Sequence, residues 1–304
     1  MIQFLQNLID AISLGSIYAL VALGIGLLFG ILRLINFAHG DYITIGAYAL
    51  IAPSADVTAR LLIGDMSWQL MLPLICLIVI VAALLTDALV FRPLRRASSP
   101  TLMIASFAVS YIIQNGILMA YGSRPKAVDL WSAANTQVLI GELRVPMLQL
   151  ITLVVTLVLM TALTLFLKRT SYGVQMRAAA ENFRMAQYLG VRGNTVIGIA
   201  FAISGVLACA VSLLYTAQSG SLSHVMGVPL ALFAFVAVVV GGMGSLIGAV
   251  VGGFTIGIIV TMLQAYLPPE LRAFRDAFAF AIVILVLLVR PAGMVPSSSS
   301  FERV

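Results

Sequence analysis

Long apolar blocks constrain this chain more than any other feature of its sequence. Residues 150–167 and 277–289 contain no charged side chain, and helices built from such blocks can cross roughly 30 Å of hydrocarbon. Hydrophobic residues make up 62% of the 304 residues and charged residues only 9%. A water-soluble fold of this composition would have too few polar residues to form its surface. The sequence therefore predicts an all-α, polytopic integral membrane protein.

Nine apolar segments follow one another along the chain. They are residues 8–29, 36–51, 70–90, 101–121, 147–167, 196–215, 224–240, 245–267 and 277–289. The second, seventh and ninth are shorter than the others. We predict about eight to nine transmembrane helices in a single transmembrane domain that covers residues 1–304.

Basic residues are spread unevenly over the connections between these segments. With the amino terminus outside, eleven of the 17 Lys and Arg residues lie on the cytoplasmic side and six on the opposite side. The eleven are Arg33, Arg92, Arg95, Arg96, Lys168, Arg169, Arg177, Arg184, Arg192, Arg290 and Arg303, and the six are Arg60, Arg124, Lys126, Arg144, Arg272 and Arg275. Because basic residues near span ends favour the cytoplasm, we predict a periplasmic amino terminus and a cytoplasmic carboxyl terminus. Membrane orientation explains the net charge of +6, so we expect contact with membrane lipid and none with nucleic acid.

Residues suited to catalysis or metal binding are scarce. Cys76 and Cys209 lie inside apolar segments, where a free cysteine acts as a small hydrophobic residue. His39 and His224 are far apart and lack a cysteine or acidic neighbour at ligand spacing, which argues against a metal site. We therefore predict that this chain is not an enzyme and binds no cofactor.

A pump would need an energy source, and the sequence contains none of its own. A P-loop needs Gly-Lys-Ser/Thr to hold phosphates, yet the two lysines follow Pro125 and Leu167. Carriers driven by protons or sodium usually need ionisable groups deep in the membrane, and the candidates here are Asp41 and Asp87, near predicted cytoplasmic ends. If the protein is a pump, another subunit supplies the energy.

The largest polar segment on the cytoplasmic side covers residues 168–194. Residues 174–189 are rich in helix-forming residues, with Gly173 and Gly190 as breaks at either end. An apolar stripe runs along this predicted helix and consists of Ala179, Phe183, Ala186 and Leu189. Such a helix either lies on the bilayer or on its own bundle, or docks a cytoplasmic partner.

Several sequence blocks occur in the order in which a known family has them. They are residues 14–20 (Leu-Gly-Ser-Ile-Tyr-Ala-Leu) with Gly24, 35–40 (Ile-Asn-Phe-Ala-His-Gly), 92–95 (Arg-Pro-Leu-Arg), 179–182 (Ala-Ala-Glu-Asn) with 189–191 (Leu-Gly-Val), and 241–245 (Gly-Gly-Met-Gly-Ser) with Gly248, Gly252 and Gly253. Over residues 8–295 the chain resembles the branched-chain amino-acid permease family of ABC importers, the LivH type.

The resemblance implies a heteromeric importer in a bacterial inner membrane. Beside this permease it would contain a paralogous permease, two cytoplasmic ABC ATPases that use ATP and Mg, and a periplasmic solute-binding protein. Residues 168–194 would be the coupling segment, with the ATPase contact at Ala180, Glu181, Asn182, Phe183 and Gly190. Asn182 and Phe183 follow Glu181 where the stricter Glu-Ala-Ala-Gly pattern of other ABC permeases has two alanines after the glutamate.

Asn36, His39 and Asp41 form the most polar cluster close to a predicted span, beside Gly40. Polar groups at such depth need partners within the protein or in a water-filled cavity. They are candidates for the translocation pathway or its gate, and the alternative is a network that fixes the start of the second span. Under either interpretation we expect the cluster to face protein rather than lipid.

Gly244, Gly248 and Gly252 recur at four-residue spacing, as do Gly253 and Gly257, so a helix face there has no side-chain bulk. We predict that these glycines serve helix packing. The alternative is a helix that slides or rotates during transport.

These observations predict a permease subunit that forms half of the translocation pathway for a branched-chain or related amino acid. One alternative keeps the machine and changes the solute to urea, a short amide or an aromatic acid. Two others are a secondary carrier, which needs no ATPase, and a passive channel.

Overall fold

The computed structural model describes residues 2–33, 35–54, 56–95, 97–131, 136–140 and 143–295, most of which are helical. In chain order the helices are α1 (Ile2–Leu32), α2 (His39–Tyr48), α3 (Trp68–Thr86), α4 (Ser99–Tyr121), α5 (Met147–Arg169), α6 (Ser171–Glu181), α7 (Phe183–Tyr188), α8 (Gly193–Ser219), α9 (Gly227–Gly241), α10 (Leu246–Tyr266) and α11 (Arg275–Val289). A π-helix over Asp87–Phe91 continues α3, and a 3₁₀-helix over Pro269–Phe274 leads into α11. The short strands are β1 (Lys126–Ala127), β2 (Gln137–Ile140), β3 (Leu143–Pro146) and β4 (Ser221–Leu222).

Six of the described helices are long and apolar enough to cross a membrane: α1, α3 with its π-helical extension, α4, α5, α8 and α10. Three shorter helices correspond to the short segments of the sequence: α2 has 10 residues, and α9 and α11 have 15 each. At 1.5 Å per residue, a helix of 10 residues spans about 15 Å and one of 15 residues about 22 Å, both less than the roughly 30 Å of the hydrocarbon core. The predicted polytopic helical membrane fold is confirmed, with six full-length helices and three partial ones.

α1 lies at the centre of the bundle. It is apolar on every side rather than along one stripe, as is typical of a helix enclosed by others. It packs against α10, α8, α9 and α5, and its residues 15–28 are buried throughout. The helix begins at Ile2, earlier than the predicted residue 8, and Gln6 Nε2 in its first turns donates a hydrogen bond of 2.8 Å to the Arg144 carbonyl.

Glycines of α10 bring that helix into backbone contact with two neighbours. Gly248 and Gly252 face α9, and Gly253 and Gly257 face α1. A Cβ placed on Gly253 would lie 2.5 Å from both the Cα and the backbone nitrogen of Ala19, far inside the roughly 3.5–4.0 Å of an ordinary carbon contact. The packing interpretation therefore accounts for both pairs of glycines on α10.

Gly244 does not belong to these packing faces, which corrects the prediction. α10 begins at Leu246, and Gly244 lies in the exposed turn before it with a φ of +87°. A positive φ is a conformation that glycine adopts without steric penalty. The Ser245 side chain then caps α10 by accepting a hydrogen bond of 3.0 Å from the Gly248 backbone N–H. Gly244 thus shapes the α9–α10 turn.

The connections lie at two opposite ends of the bundle. The end at which α1 begins also holds the β2–β3 hairpin and the antiparallel β1–β4 pair, and α6 and α7 lie at the other end. Lys126 in β1 is buried, and its Nζ donates hydrogen bonds of 2.7 and 2.6 Å to the carbonyls of Ser54 and Asp56. Arg96 and Arg303, which entered the predicted charge distribution, lie outside the described residues.

We expect Gly253→Ala to lower the thermal stability of the purified protein in detergent. The added methyl group meets the α1 backbone, which cannot rotate away, and overpacking of this kind costs about 1–3 kcal/mol. Gly116→Ala in α4 is the matched control, because nothing lies within 4 Å of a Cβ at that position. Equal melting temperatures for the two variants would contradict the tight α1–α10 contact.

Candidate functional site

The second apolar segment does not begin as a helix. α1 ends at Leu32, Arg33 has a φ of +55°, and α2 begins only at His39. Asn36 in the non-helical stretch is buried, and its Oδ1 accepts a hydrogen bond of 3.1 Å from the Ala38 backbone N–H. Non-helical backbone within a membrane is tolerated only where protein or water encloses it, and the buried Asn36 and Ala38 show that protein encloses this part of the stretch.

His39, the first residue of α2, is fully buried against α1. Its ring occupies the space that the absent side chain of Gly24 leaves, since a Cβ on Gly24 would lie 2.5 Å from His39 Cε1. Gly24 is eight residues before the end of α1, so the ring lies about 12 Å along the helix from that end. The His39 Nδ1 and Ser204 Oγ of α8 share a hydrogen bond of 2.8 Å.

Asp41, in the first turn of α2, faces α4 and is also fully buried. Gln114 Nε2 donates a hydrogen bond of 3.0 Å to Asp41 Oδ1 and another of 2.9 Å to Ser110 Oγ. The second carboxylate oxygen, Oδ2, has no hydrogen-bond partner among the described residues. An ionisable group inside a membrane is costly and marks a functional site by default.

The start of α2 also meets the start of α9. Gly40 and Gly227 pack backbone against backbone, and a Cβ on either residue would collide with the carbonyl of the other. Thr44 Oγ1 of α2 accepts a hydrogen bond of 3.2 Å from the Gly227 N–H. The two short helices α2 and α9 thus begin side by side. Many transporters have pairs of interrupted helices that begin side by side at their solute sites.

At the other candidate site, the structure replaces the single helix predicted over residues 174–189 by α6 and α7. Asn182 separates them because its Oδ1 accepts a hydrogen bond of 3.1 Å from the Met185 N–H, as an N-cap of α7. Gly173 is no helix break: α6 starts at Ser171, and Thr170 caps it by accepting a bond of 3.0 Å from the Gly173 N–H. Gly190, with a φ of +90°, does end α7 as predicted.

Most of the predicted apolar stripe is buried on both sides of the break at Asn182. Ala179 and Ala186 are buried in the bundle and Phe183 is half-buried, but Leu189 is 86% exposed. Leu189 lies beyond the end of α7 at Tyr188, so it no longer follows the helical spacing that the stripe assumed.

The predicted coupling residues are only partly accessible. Glu181, Asn182 and Gly190 are exposed, and Ala180 and Phe183 are half-buried. The structure adds three exposed apolar side chains of α7 and its end that sequence reasoning missed as a patch, namely Met185, Tyr188 and Leu189. Tyr188 is 84% exposed. We call these three residues the α7 patch.

α8 connects the two candidate sites. It begins shortly after α7, and Asn194 in its first turn accepts a hydrogen bond from the Arg95 guanidinium. Arg95 also donates bonds of 2.9 and 3.0 Å to both carboxylate oxygens of Asp87, at the π-helical end of α3. About 15 Å further along α8, Ser204 reaches His39.

This architecture can be compared with known proteins. The sequence profile of a family described as branched-chain amino acid transport system / permease component matches residues 7–287. The chain belongs to this family. It is therefore a transport permease of the membrane, and the family resemblance read from the sequence blocks is confirmed.

Individual relatives match nearly end to end. The high-affinity branched-chain amino acid transport system permease protein LivH of Salmonella typhimurium is 32% identical over 302 residues, 96% of each chain. BraD of Pseudomonas aeruginosa, described in the same words, is 32% identical over 306 residues, 96% of this chain and 95% of its own. A probable LivH of Methanocaldococcus jannaschii is 27% identical over 93% of this chain and 90% of its own. No solved structure matches the chain.

We expect Ser204→Ala to destabilise the permease more than Ser212→Ala. Both serines lie on α8 and are fully buried, but only Ser204 holds His39, and its loss leaves a buried ring nitrogen unpaired at a cost of about 1–3 kcal/mol. Ser212 Oγ has no hydrogen-bond partner among the described residues. The melting temperatures of both variants, measured in one detergent, give the difference. An equal fall in melting temperature would show that the His39–Ser204 hydrogen bond does not stabilise the protein.

Proposed function

We propose that this chain is the transmembrane permease subunit of an ATP-driven ABC importer and forms half of the pathway for branched-chain or related amino acids. The match of residues 7–287 to a branched-chain amino acid permease family carries the proposal. Its partners are a paralogous permease, two cytoplasmic ATPases that bind ATP and Mg, and a periplasmic solute-binding protein. This chain itself binds no nucleotide.

The orientation we propose has the amino terminus in the periplasm and the carboxyl terminus in the cytoplasm. It is supported by the predicted distribution of eleven basic residues against six, and nine of the eleven, all except Arg96 and Arg303, are among the described residues. The inverse arrangement would place the larger group outside.

The α6–α7 region is the proposed contact with an ATPase. α6 buries Gly173, Met176 and Ala179 against the bundle, so this helix is held firmly. The α7 patch, in contrast, exposes apolar surface at the tip of the segment, as a docking surface for a protein partner does. Glu181 beside it is exposed and can pair with a basic or amide group at the rim of such an interface.

A displacement of α6 and α7 can move the buried residues Asn36, His39 and Asp41 through α8. A short connection after Gly190 joins α7 to α8, and Arg95 links the start of α8 to the end of α3 by its hydrogen bonds to Asn194 and Asp87. Since Ser204 of α8 is bonded to His39, movement of α8 acts on the start of α2. Asn36, His39 and Asp41 are thereby proposed to serve the gate of the pathway.

We expect the double variant Tyr188→Ala/Leu189→Ala to assemble in the membrane but to lose at least tenfold in solute-stimulated ATP hydrolysis by the reconstituted complex. Two exposed apolar side chains at the centre of an interface contribute a large share of its binding free energy. Leu271→Ala/Phe274→Ala, which removes exposed apolar groups at the opposite end of the bundle, is the matched control and should hydrolyse ATP normally.

Normal solute stimulation of ATP hydrolysis in Tyr188→Ala/Leu189→Ala would show that the α7 patch does not couple the permease to the ATPase. Uptake without ATP in the wild-type complex would instead favour a secondary carrier or a channel. Uptake can be measured with urea, a short amide or an aromatic acid, each supplied on its own binding protein. Transport of one of these in place of a branched-chain amino acid would identify it as the solute.

We expect Ser171→Cys to resist impermeant thiol reagents applied from the periplasm of whole cells and Ser123→Cys to react. Both positions are exposed, lie outside the α7 patch and are at opposite ends of the bundle. Cell lysis should make Ser171→Cys reactive, which serves as the control for accessibility. The reverse pattern in whole cells would invert the proposed topology.

A further inference from the structure

One face of α4 carries polar groups partway along the helix. Gln114 lies about 10 Å, and Ser110 about 16 Å, along α4 from its end at Tyr121, so both polar groups lie at hydrocarbon depth. Tyr111 on the same face is 69% exposed. On α11 the exposed side chains after Asp276 in the first turn are apolar, among them Ile284, Leu285 and Leu288, as lipid requires.

A pocket of about 210 Å³ opens on this α4 face. Its walls include Phe37 from the break before α2, Phe107, Tyr111 and Gln114 from α4, and Val228 and Leu232 from α9. The rings of Phe37 and Phe107 stack with their centres 4.0 Å apart. The volume is below the roughly 300–1,000 Å³ of sites for drug-sized ligands, which suits a small solute.

The polar end of the pocket accepts hydrogen bonds. Both N–H groups of the Gln114 amide are engaged, with Asp41 Oδ1 and with Ser110 Oγ, which leaves its carbonyl Oε1 as an acceptor. Directly behind it lies the buried Asp41, whose Oδ2 has no hydrogen-bond partner among the described residues. An acceptor backed by a buried carboxylate favours a cationic donor such as an ammonium group.

We propose that this pocket is the solute-contacting part of the translocation pathway and receives an aliphatic α-amino acid. The solute's ammonium group binds Gln114 Oε1, and its side chain contacts Phe37, Phe107 and Leu232. This inference rests on the proposed function and adds to it the residues that meet the solute. It also assigns the α4 face to the pathway rather than to lipid.

The test uses the assembled complex in detergent without its binding protein, with Cys76 and Cys209 replaced by alanine. Tyr111→Cys is labelled by a small cationic thiol reagent, with Ile284→Cys on α11 as the control for a lipid-facing position. We expect Tyr111→Cys to react at least tenfold faster. L-leucine at millimolar concentration should slow this labelling severalfold, and its 2-hydroxy analogue, which lacks the ammonium group, should not.

A second pair of variants tests the acceptor. Gln114→Leu in the Tyr111→Cys background should abolish protection by L-leucine, measured as the ratio of the labelling rates with and without solute in the same variant. Asn115→Leu is the matched control, because Asn115 Nδ2 is bonded to the Tyr111 carbonyl of its own helix, and protection should persist. If Tyr111→Cys does not fold, Leu232→Cys on the opposite wall gives the same measurement.

Each contrary result overturns the proposal in its own way. Labelling as slow as at Ile284→Cys would place the pocket against lipid, and a cross-link from position 111 to the partner permease would make it a packing surface. Equal protection by the hydroxy analogue would remove the ammonium contact. ATP-dependent uptake by the wild-type complex is measured separately, so failure there rejects the proposed function, and failure of labelling alone rejects the pocket.

Discussion

The fold depends on one constraint, that backbone and side-chain polar groups inside hydrocarbon must find partners within the protein. The stretch between α1 and α2 interrupts the helical pattern, and α2, which follows it, packs against α1, α4, α8 and α9. Asn36, His39 and Asp41 each use a different neighbour, namely the local backbone, α8 and α4. The six long helices can be understood as the enclosure that makes this irregular interior tolerable.

Two kinds of contact build that enclosure. α1, α9 and α10 meet through glycines, so their backbones touch and leave no space for adjustment. α2, α4 and α8 meet through polar side chains such as Gln114 and Ser204, whose hydrogen bonds can break and form again. The proposed solute pocket and the route from the cytoplasmic segment both lie on the second kind of contact.

Much of this organisation could be predicted from the sequence. Apolar length indicates the long helices, and the short segments are short helices in the structure because fewer apolar residues give fewer turns. Residues 174–189 are largely helical, as predicted, but the division at Asn182 was not predicted, since helix propensity alone cannot show when an asparagine side chain will cap a new helix. Spacing likewise assigned Gly244 to a helix that starts only after it.

The candidate site was less predictable, because its partners come from distant parts of the chain. The polar residues of α2 could be singled out by their type, but nothing local relates Asp41 to Gln114, 73 residues later, or His39 to Ser204, 165 residues later. Other glutamines and serines of the apolar helices could serve equally well, by residue type, as hydrogen-bond partners of Asp41 and His39. Tertiary packing alone selects the partner.

The glycines of α10 can now be assigned to packing rather than to sliding. Gly248 and Gly252 contact α9 on one face, and Gly253 and Gly257 contact α1 on another, so any slide must disrupt both interfaces together. A shift of one turn, about 5.4 Å, would bring the buried side chain of Ile256 to the place where Gly252 meets the α9 backbone. That backbone has no room for a branched side chain, so α10 is held in register with α1 and α9. The hydrogen bonds of α2 with α4 and α8 involve none of these glycines, so they can rearrange while the glycine contacts persist.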